Sequence, residues 1–563
     1  MQHSALKPVR LASQINESVC RAAMLCVATF SGFQRGIAVD CRKGAFATIL
    51  LGSAVMTNSS PPPLHAQGTS DLSERCEMLA GQVVGEVKIT AATYYAEGRT
   101  LPANQGGSEA PLPPHCQVDG VINERLGADS KPYGIGFELA LPTDWNGRYL
   151  LMGGGGLNGS IRPPTGPVAA GTMSALARGF AVASHDSGHK GAGFDDSFMA
   201  DQRAAIDFAE SSVRKVTLVT RDIAEGFYGE APHHSYMTGC STGGREGMLA
   251  SQRYPELFDG IVVGAPAMRP GHSNLGIEYA QVMLNRTLDA DAVQAAGFSQ
   301  AERDAISSEV INQCDAQDGI VDGMIMNVQA CRSFDPSALQ CTAGQNENCL
   351  AADRVEALGQ AFAGPRDAAG RPIYVPIPWD TGIVYQGPGL PGYLPAGQPG
   401  PFGPANASRE IDIDARMHDV RMDAVGRLTD TAYWTNLSTY LGRGSKIMFY
   451  HGVSDPWFSA LDTWDYFERA RETNGAEAWG NAARFYMVPG MMHCSGGNSF
   501  DQFDLLGPMV DWVESGNEPA GVVARRGSGE DGEMPLCPHP QYARYTGGDP
   551  VLATSYQCTA PDG

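Results

Sequence analysis

No two of the thirteen cysteines are spaced Cys-x-x-Cys, which removes the usual zinc modules and dithiol redox motifs. Basic charge is also in short supply. Lysine and arginine number 40 against 62 aspartates and glutamates, for a net charge of −22. Such a surface repels phosphate backbones and anionic bilayers, so neither nucleic acid nor membrane is the expected partner. Past Met56 no apolar run is long enough to serve as a membrane anchor. No internal repeat is visible.

What is present describes a large globular chain. Its 563 residues, 43% hydrophobic and 18% charged, suffice for one big domain with an insertion or for two to three domains. The 68 glycines and 37 prolines imply many loops. Near the N-terminus, Arg42-Lys43 precedes the apolar run Ala45 to Met56, followed by a small-residue exit at Leu64-His65-Ala66. That pattern reads as an export signal over residues 1–66 and predicts a secreted or periplasmic protein; a buried helix is the alternative. The stretch before Arg42 is long for the leading region of a signal, which suggests a translation start further in. Cys20, Cys26 and Cys41 precede the exit, leaving ten cysteines, an even number suited to disulfides in an oxidising compartment. Spacing alone leaves their connectivity open.

Strand-like apolar runs alternate with helical patterns from Lys88 to Pro266 and again from Lys446 to Glu514. They include Tyr149 to Met152, Ala181 to Ala183, Ser235 to Met237, Ile261 to Val263, Lys446 to Tyr450 and Phe485 to Val488. This alternation predicts a mainly parallel sheet and an α/β fold. The intervening segment has a different texture, with four cysteines and a Gly/Pro-rich stretch from Gln386 to Pro404 in which Tyr393 and Phe402 suggest packing. It is expected to be a lid domain, residues 268–435, inserted in a catalytic domain made of residues 67–267 and 436–563.

Gly239-Cys240-Ser241-Thr242-Gly243 has the Gly-x-Ser-x-Gly form of a nucleophile elbow, with Ser235 to Met237 as the strand before it and Arg245 to Arg253 as the helix after it. A serine hydroxyl needs an imidazole to take its proton and a carboxylate to orient that imidazole. Asp455 and His493 follow Ser241 in the order α/β hydrolases use, each in a loop after a predicted strand. His451 and Asp186 are the rival base and acid; His185 and His189 read as structural. The Thr242 amide is the expected first oxyanion donor, and the run Gly153 to Gly156 resembles loops that provide the second. Cys240 and Cys494 neighbour Ser241 and His493 directly. A bond between them would close a loop of about 250 residues, an ideal entropy gain of roughly 5 kcal/mol, and would clamp the site. In Cys314-Asp315-Ala316-Gln317-Asp318-Gly319-Ile320-Val321-Asp322-Gly323-Met324, the carboxylates of Asp315, Asp318 and Asp322 with the carbonyls of Ile320 and Met324 suit a structural calcium ion; a solvated acidic turn is the alternative.

Together these motifs resemble the tannase/feruloyl esterase family over nearly all the chain after the signal. The likeness also takes in Trp145-Asn146-Gly147-Arg148, His451-Gly452-Val453-Ser454-Asp455 and Pro489-Gly490-Met491-Met492-His493-Cys494. It implies an α/β-hydrolase fold with a large inserted lid, and bonds Cys76–Cys116, Cys240–Cys494, Cys314–Cys331, Cys341–Cys349 and Cys537–Cys558. It further implies lid calcium at Asp315, Asp318, Ile320, Asp322 and Met324, and Gly156 as second oxyanion donor. Phe458 would lie against the substrate ring, and Arg409 would hold a free carboxylate. Three features depart from one branch of the family: Thr242 in place of a glutamate, Ile413 in place of a phenylalanine, and Gly/Pro-rich sequence in place of a lid tryptophan. The expectation is a secreted serine hydrolase of small aromatic carboxylic esters, with hydroxycinnamate, gallate and terephthalate monoesters all open. An acyltransferase, a peptidase and a silent calcium-dependent binding protein are the rival classes.

Overall fold

The computed structural model describes residues 72–561 apart from 97–111, 167–168, 170, 172, 289–297, 346, 385–407 and 528–531. The predicted export segment and Gln386 to Pro404, with Tyr393 and Phe402, lie outside the described residues.

Ten strands form the main sheet: β1 (Val83–Val84), β2 (Val87–Tyr95), β3 (His115–Leu126), β4 (Pro132–Pro142), β5 (Arg148–Met152), β6 (Ala181–His185), β7 (His234–Cys240), β8 (Gly260–Gly264), β9 (Lys446–Gly452) and β10 (Ala483–Val488). Their order is β1-β2-β3-β4-β6-β5-β7-β8-β9-β10. From β6 to β10 every pairing is parallel, whereas β1 to β4 form an antiparallel flap that joins through β4–β6. This is the α/β-hydrolase fold, with each predicted strand in place and longer than its apolar run suggested. The helix after the elbow is also longer, Thr242–Arg253.

The central strands read as unbroken apolar runs because helices cover both faces of the sheet. Alternate residues enter opposite cores: Met237, Ile261, Val263, Ile447 and Phe449 on one side, Tyr236, Val262, Met448 and Tyr450 on the other. Between β8 and β9 the chain leaves the sheet and builds helices Pro270–Asn285, Gln300–Cys314 and Ala352–Ala363. These have a core of their own, including Ile306, Leu358 and Phe362. All five disulfides implied by the family resemblance are formed.

At the amino-terminal ends of β5 and β7, Arg148 makes a bidentate pair with Glu514 (2.7 and 2.7 Å), and the Tyr236 hydroxyl donates to the same carboxylate at 2.7 Å. The Arg148 hydrogen bonds foremost, then that of Tyr236, draw Glu514 from about 4.5 down to about 2. A depressed carboxyl stabilises the fold above its unfolded value and loses that contribution as pH falls toward the folded one. Glu514→Gln is therefore expected to cost about 2 kcal/mol at neutral pH. In urea titrations it should also flatten the stability loss between pH 4.5 and 2; an unchanged acid limb would contradict this.

Candidate active site

Ser241 sits where β7 ends and the helix Thr242–Arg253 begins. Its backbone is at φ 65°, ψ −121°, a conformation L-residues avoid and a tight elbow enforces. The turn is possible because backbones nearly touch: a Cβ on Gly153 would lie 2.6 Å from Gly243 Cα, and one on Gly239 2.5 Å from the Gly243 carbonyl carbon. The Gly243 amide donates to Gly154 O at 3.1 Å, tying the elbow to the glycine loop after β5.

Asp455 and His493 meet. His493 Nδ1 lies 2.7 Å from Asp455 Oδ2, while the other carboxylate oxygen accepts the Trp457 and Phe458 amides at 2.8 and 3.1 Å. His493 Nε2 is buried and has no hydrogen-bond partner among the described residues. The Cys240–Cys494 bond, with Cα atoms 6.0 Å apart, joins the residue before Ser241 to the residue after His493. Burial pushes the Asp455 carboxyl up, but the charges and hydrogen bonds of His493 and His451 outweigh it and hold it below the usual range. An ionised acid facing imidazole Nδ1 orients the ring and stabilises its protonated form.

The rivals fall elsewhere. His451 is fully buried behind the acid, with Nε2 3.2 Å from Asp455 Oδ2 and 2.9 Å from Phe458 O, and Nδ1 2.8 Å from the Thr463 hydroxyl. Asp186 accepts the Gly136 and Gly188 amides at 2.9 Å each. His189 stacks on Phe198 with ring centroids 3.6 Å apart, and burial lowers it to about 4.

Among the described residues, neither the Thr242 nor the Gly156 amide has an acceptor. Helix geometry explains the first, since opening amides have no carbonyl a turn earlier. The Thr242 hydroxyl donates to Gly156 O, so the two expected oxyanion donors are held together by a side-chain hydrogen bond. Phe458 and Trp457 flank His493, with ring centroids 5.3 and 4.6 Å away. Arg409 is exposed and donates to Arg286 O at 2.9 Å.

Two buried carboxylates escaped the sequence reading. Glu246 Oε2 accepts the Gly154 amide at 2.8 Å and so fixes the glycine loop. Asp380, from the long insertion, accepts the Ser454 hydroxyl at 2.7 Å and the Gly490 amide at 2.6 Å. It thereby bridges the loop carrying Asp455 to the loop carrying His493.

In the acidic loop, Asp315 Oδ1 is buried without a hydrogen-bond partner among the described residues. Burial, together with like charge from Asp322 and Asp315, pushes Asp318 up to about 7 against hydrogen bonds from Met326 and Ile320. Asp322 is pushed up too, first by burial. Three carboxylates in one loop, one with an unpartnered oxygen, fit a hard divalent cation. They are spread more widely than a closed shell: among the described residues, the one three-residue set with ligand atoms all within 4.8 Å is His233, His234 and Glu514. There the carboxylate is already taken by Arg148 and Tyr236.

A profile of tannase and feruloyl esterase matches residues 116–387 and 406–559. The chain belongs to the tannase and feruloyl esterase family. It is 36% identical to mono(2-hydroxyethyl) terephthalate hydrolase of Piscinibacter sakaiensis, over 86% of this chain and 92% of that protein. It is 28% identical to a probable feruloyl esterase B-2 of Aspergillus flavus, over 72% and 80% of the two chains. In three dimensions it is similar to feruloyl esterase B of Aspergillus oryzae, with a TM-score of 0.71 and 25% identity, covering 87% of this chain and all of that one (100%). Tannin acyl hydrolase of Aspergillus niger shares the fold, with a TM-score of 0.67 and 22% identity over 87% of this chain and 95% of that one. Membership makes this chain a carboxylic ester hydrolase.

The Cys240–Cys494 bond spans 254 residues of sequence, for an ideal stabilisation of roughly 5 kcal/mol. A Cys240→Ala/Cys494→Ala enzyme is expected to lose at least about tenfold in kcat, because small misplacements of reacting groups are costly. Stopped-flow turnover well below the melting transition tests this, and wild-type kcat in the double variant would refute the clamp.

Proposed function

We propose that the chain hydrolyses esters of aromatic carboxylic acids through an acyl-enzyme on Ser241. The observation that carries this reading is the His493–Asp455 contact of 2.7 Å, tethered by disulfide to a serine on a strained elbow. Ser241 Oγ attacks the ester carbonyl as His493 Nε2 takes its proton. Asp455 accepts from Nδ1 and balances the positive ring. The Thr242 and Gly156 amides receive the developing oxyanion. Collapse expels the alcohol, protonated by His493, and water then repeats the sequence to release the acid.

An aromatic acid part is supported by the Trp457 and Phe458 rings beside His493 and by what the named relatives act on. Mono(2-hydroxyethyl) terephthalate, feruloyl or chlorogenate esters and galloyl esters are the substrates to compare. Arg409 is the lid candidate for a free carboxylate on the acid. Five disulfides support an extracellular or periplasmic setting. Asp315, Asp318 and Asp322, with the carbonyls of Ile320 and Met324, are the residues that would hold calcium. It would neutralise buried charge there and stiffen the lid, taking no part in bond cleavage.

Fluorophosphonate is expected to label Ser241, and Ser241→Ala should lower kcat by roughly 10⁴-fold or more on methyl ferulate, methyl gallate or mono(2-hydroxyethyl) terephthalate. An unlabelled serine with activity retained in Ser241→Ala would end this reading. Calcium at about 100 times its Kd should stabilise the protein by roughly 2.7 kcal/mol, seen as a rise in Tm that Asp318→Asn removes. An identical Tm in EGTA and in calcium would count against the site.

A further inference from the structure

The glycine loop after β5 forms one wall of a cavity of about 230 Å³, also lined by Arg162, His185 and Phe194. Its chemistry is unlike that of the surrounding surface. In a chain of net charge −22, the Arg162 side chain makes no ion pair or hydrogen bond among the described residues. Its guanidinium lies close to the loop: a Cβ on Gly155 would fall 2.9 Å from Arg162 Cζ and closer still to Nη2. The backbone beneath is pinned, because Arg162 O accepts the Ser184 hydroxyl at 2.6 Å.

A second donor waits in the same cavity. His185 Nδ1 accepts the Ser187 amide at 3.2 Å, so the ring proton sits on Nε2. That Nε2 is buried, has no hydrogen-bond partner among the described residues, and stands 3.7 Å from Glu246 Oε2. Glu246 is itself engaged by the Gly154 amide at 2.8 Å and has Arg245 at 3.9 Å. A buried donor without an acceptor costs stability unless a ligand completes it.

The cavity adjoins the proposed reaction centre through two of its lining residues. Gly156 lines it and is bonded to Thr242. Phe194 meets Trp457 edge-on at 6.5 Å, and Trp457 lies 4.6 Å from His493.

We infer that Arg162 and His185 form an anion subsite that binds a carboxylate carried by the ester substrate beyond the scissile bond. The inference rests on the proposed esterase reading and gives it a charge preference. Arg162 supplies a planar pair of N–H donors matched to a carboxylate, and His185 a single N–H from the buried side. The carboxylate can belong to either half of the ester, and matched substrate pairs separate the two sources. Monomethyl terephthalate against dimethyl terephthalate places it on the acid; chlorogenate against methyl caffeate places it on the alcohol.

The test compares kcat/KM for both pairs in wild type, Arg162→Gln, Arg162→Lys and Arg409→Gln. Arg162→Gln is expected to reduce the charged-to-neutral ratio of one pair by about tenfold, mostly through KM, with Arg162→Lys recovering part of it. A ratio unmoved by Arg162→Gln in both pairs overturns the subsite and leaves the esterase reading intact, as does a ratio controlled by Arg409→Gln alone. Calorimetry on Ser241→Ala with terephthalate and with quinate supplies a readout independent of turnover. Should wild type hydrolyse none of the esters, the esterase reading falls. Loss of terephthalate or quinate binding on adding Arg162→Gln would still uphold the subsite, and binding unchanged by it would overturn it.

Discussion

The Cys240–Cys494 bond is the constraint on which the rest of the site depends. Its two cysteines flank the serine and the histidine, and two neighbouring residues adopt backbone conformations that L-amino acids avoid, Ser241 at φ 65° and Cys494 at φ 68°. A chain left to itself would relax both turns. A covalent link across 254 residues, anchored on one side at the end of β7, fixes their separation independently of the long insertion between them. Parallel strands supply the other half of the arrangement. They deliver Ser241 and the loops that carry Asp455 and His493 to the same edge of the sheet, where strand carboxyl ends open.

Around that link, buried carboxylates hold backbone in place. Asp455 accepts the Trp457 and Phe458 amides as well as the His493 ring, Glu246 takes the Gly154 amide, and Asp380 takes the Gly490 amide. Each is an acceptor set against donors that turns would otherwise leave unpaired, and removing one would orphan them in a low-dielectric interior. The acidity of the chain is thus partly internal scaffolding, which composition alone assigns to the surface.

The sheet was legible in the sequence from β5 onward because strands covered on both faces need unbroken apolar runs, as in Ile261 to Val263 and Ile447 to Tyr450. The antiparallel flap was not, because β2 (Val87–Tyr95) is only partly covered and its mixed residues carry no clear period. The elbow at Ser241 and the Asp455–His493 contact could be anticipated from the order and neighbours of these residues, since glycine and cysteine at those places have few other uses. Glu246 and Asp380 act through partners that come from distant segments, and a buried carboxylate looks in sequence like a solvated one. Asp380 is further disguised by the run Pro376-Ile377-Pro378-Trp379, which reads as an irregular loop. Arg162 is recognisable only once the fold lays it over Gly155 and leaves it without a partner.

Asp380 also sets a condition on redesign. The insertion between β8 and β9 is the natural unit to exchange between relatives when a new preference is wanted, yet it contributes the carboxylate that bridges Ser454 and Gly490. A chimaera that imports a foreign cap without an equivalent acceptor at this position would leave the two loops to drift apart. Its lost turnover would then be misread as poor substrate recognition.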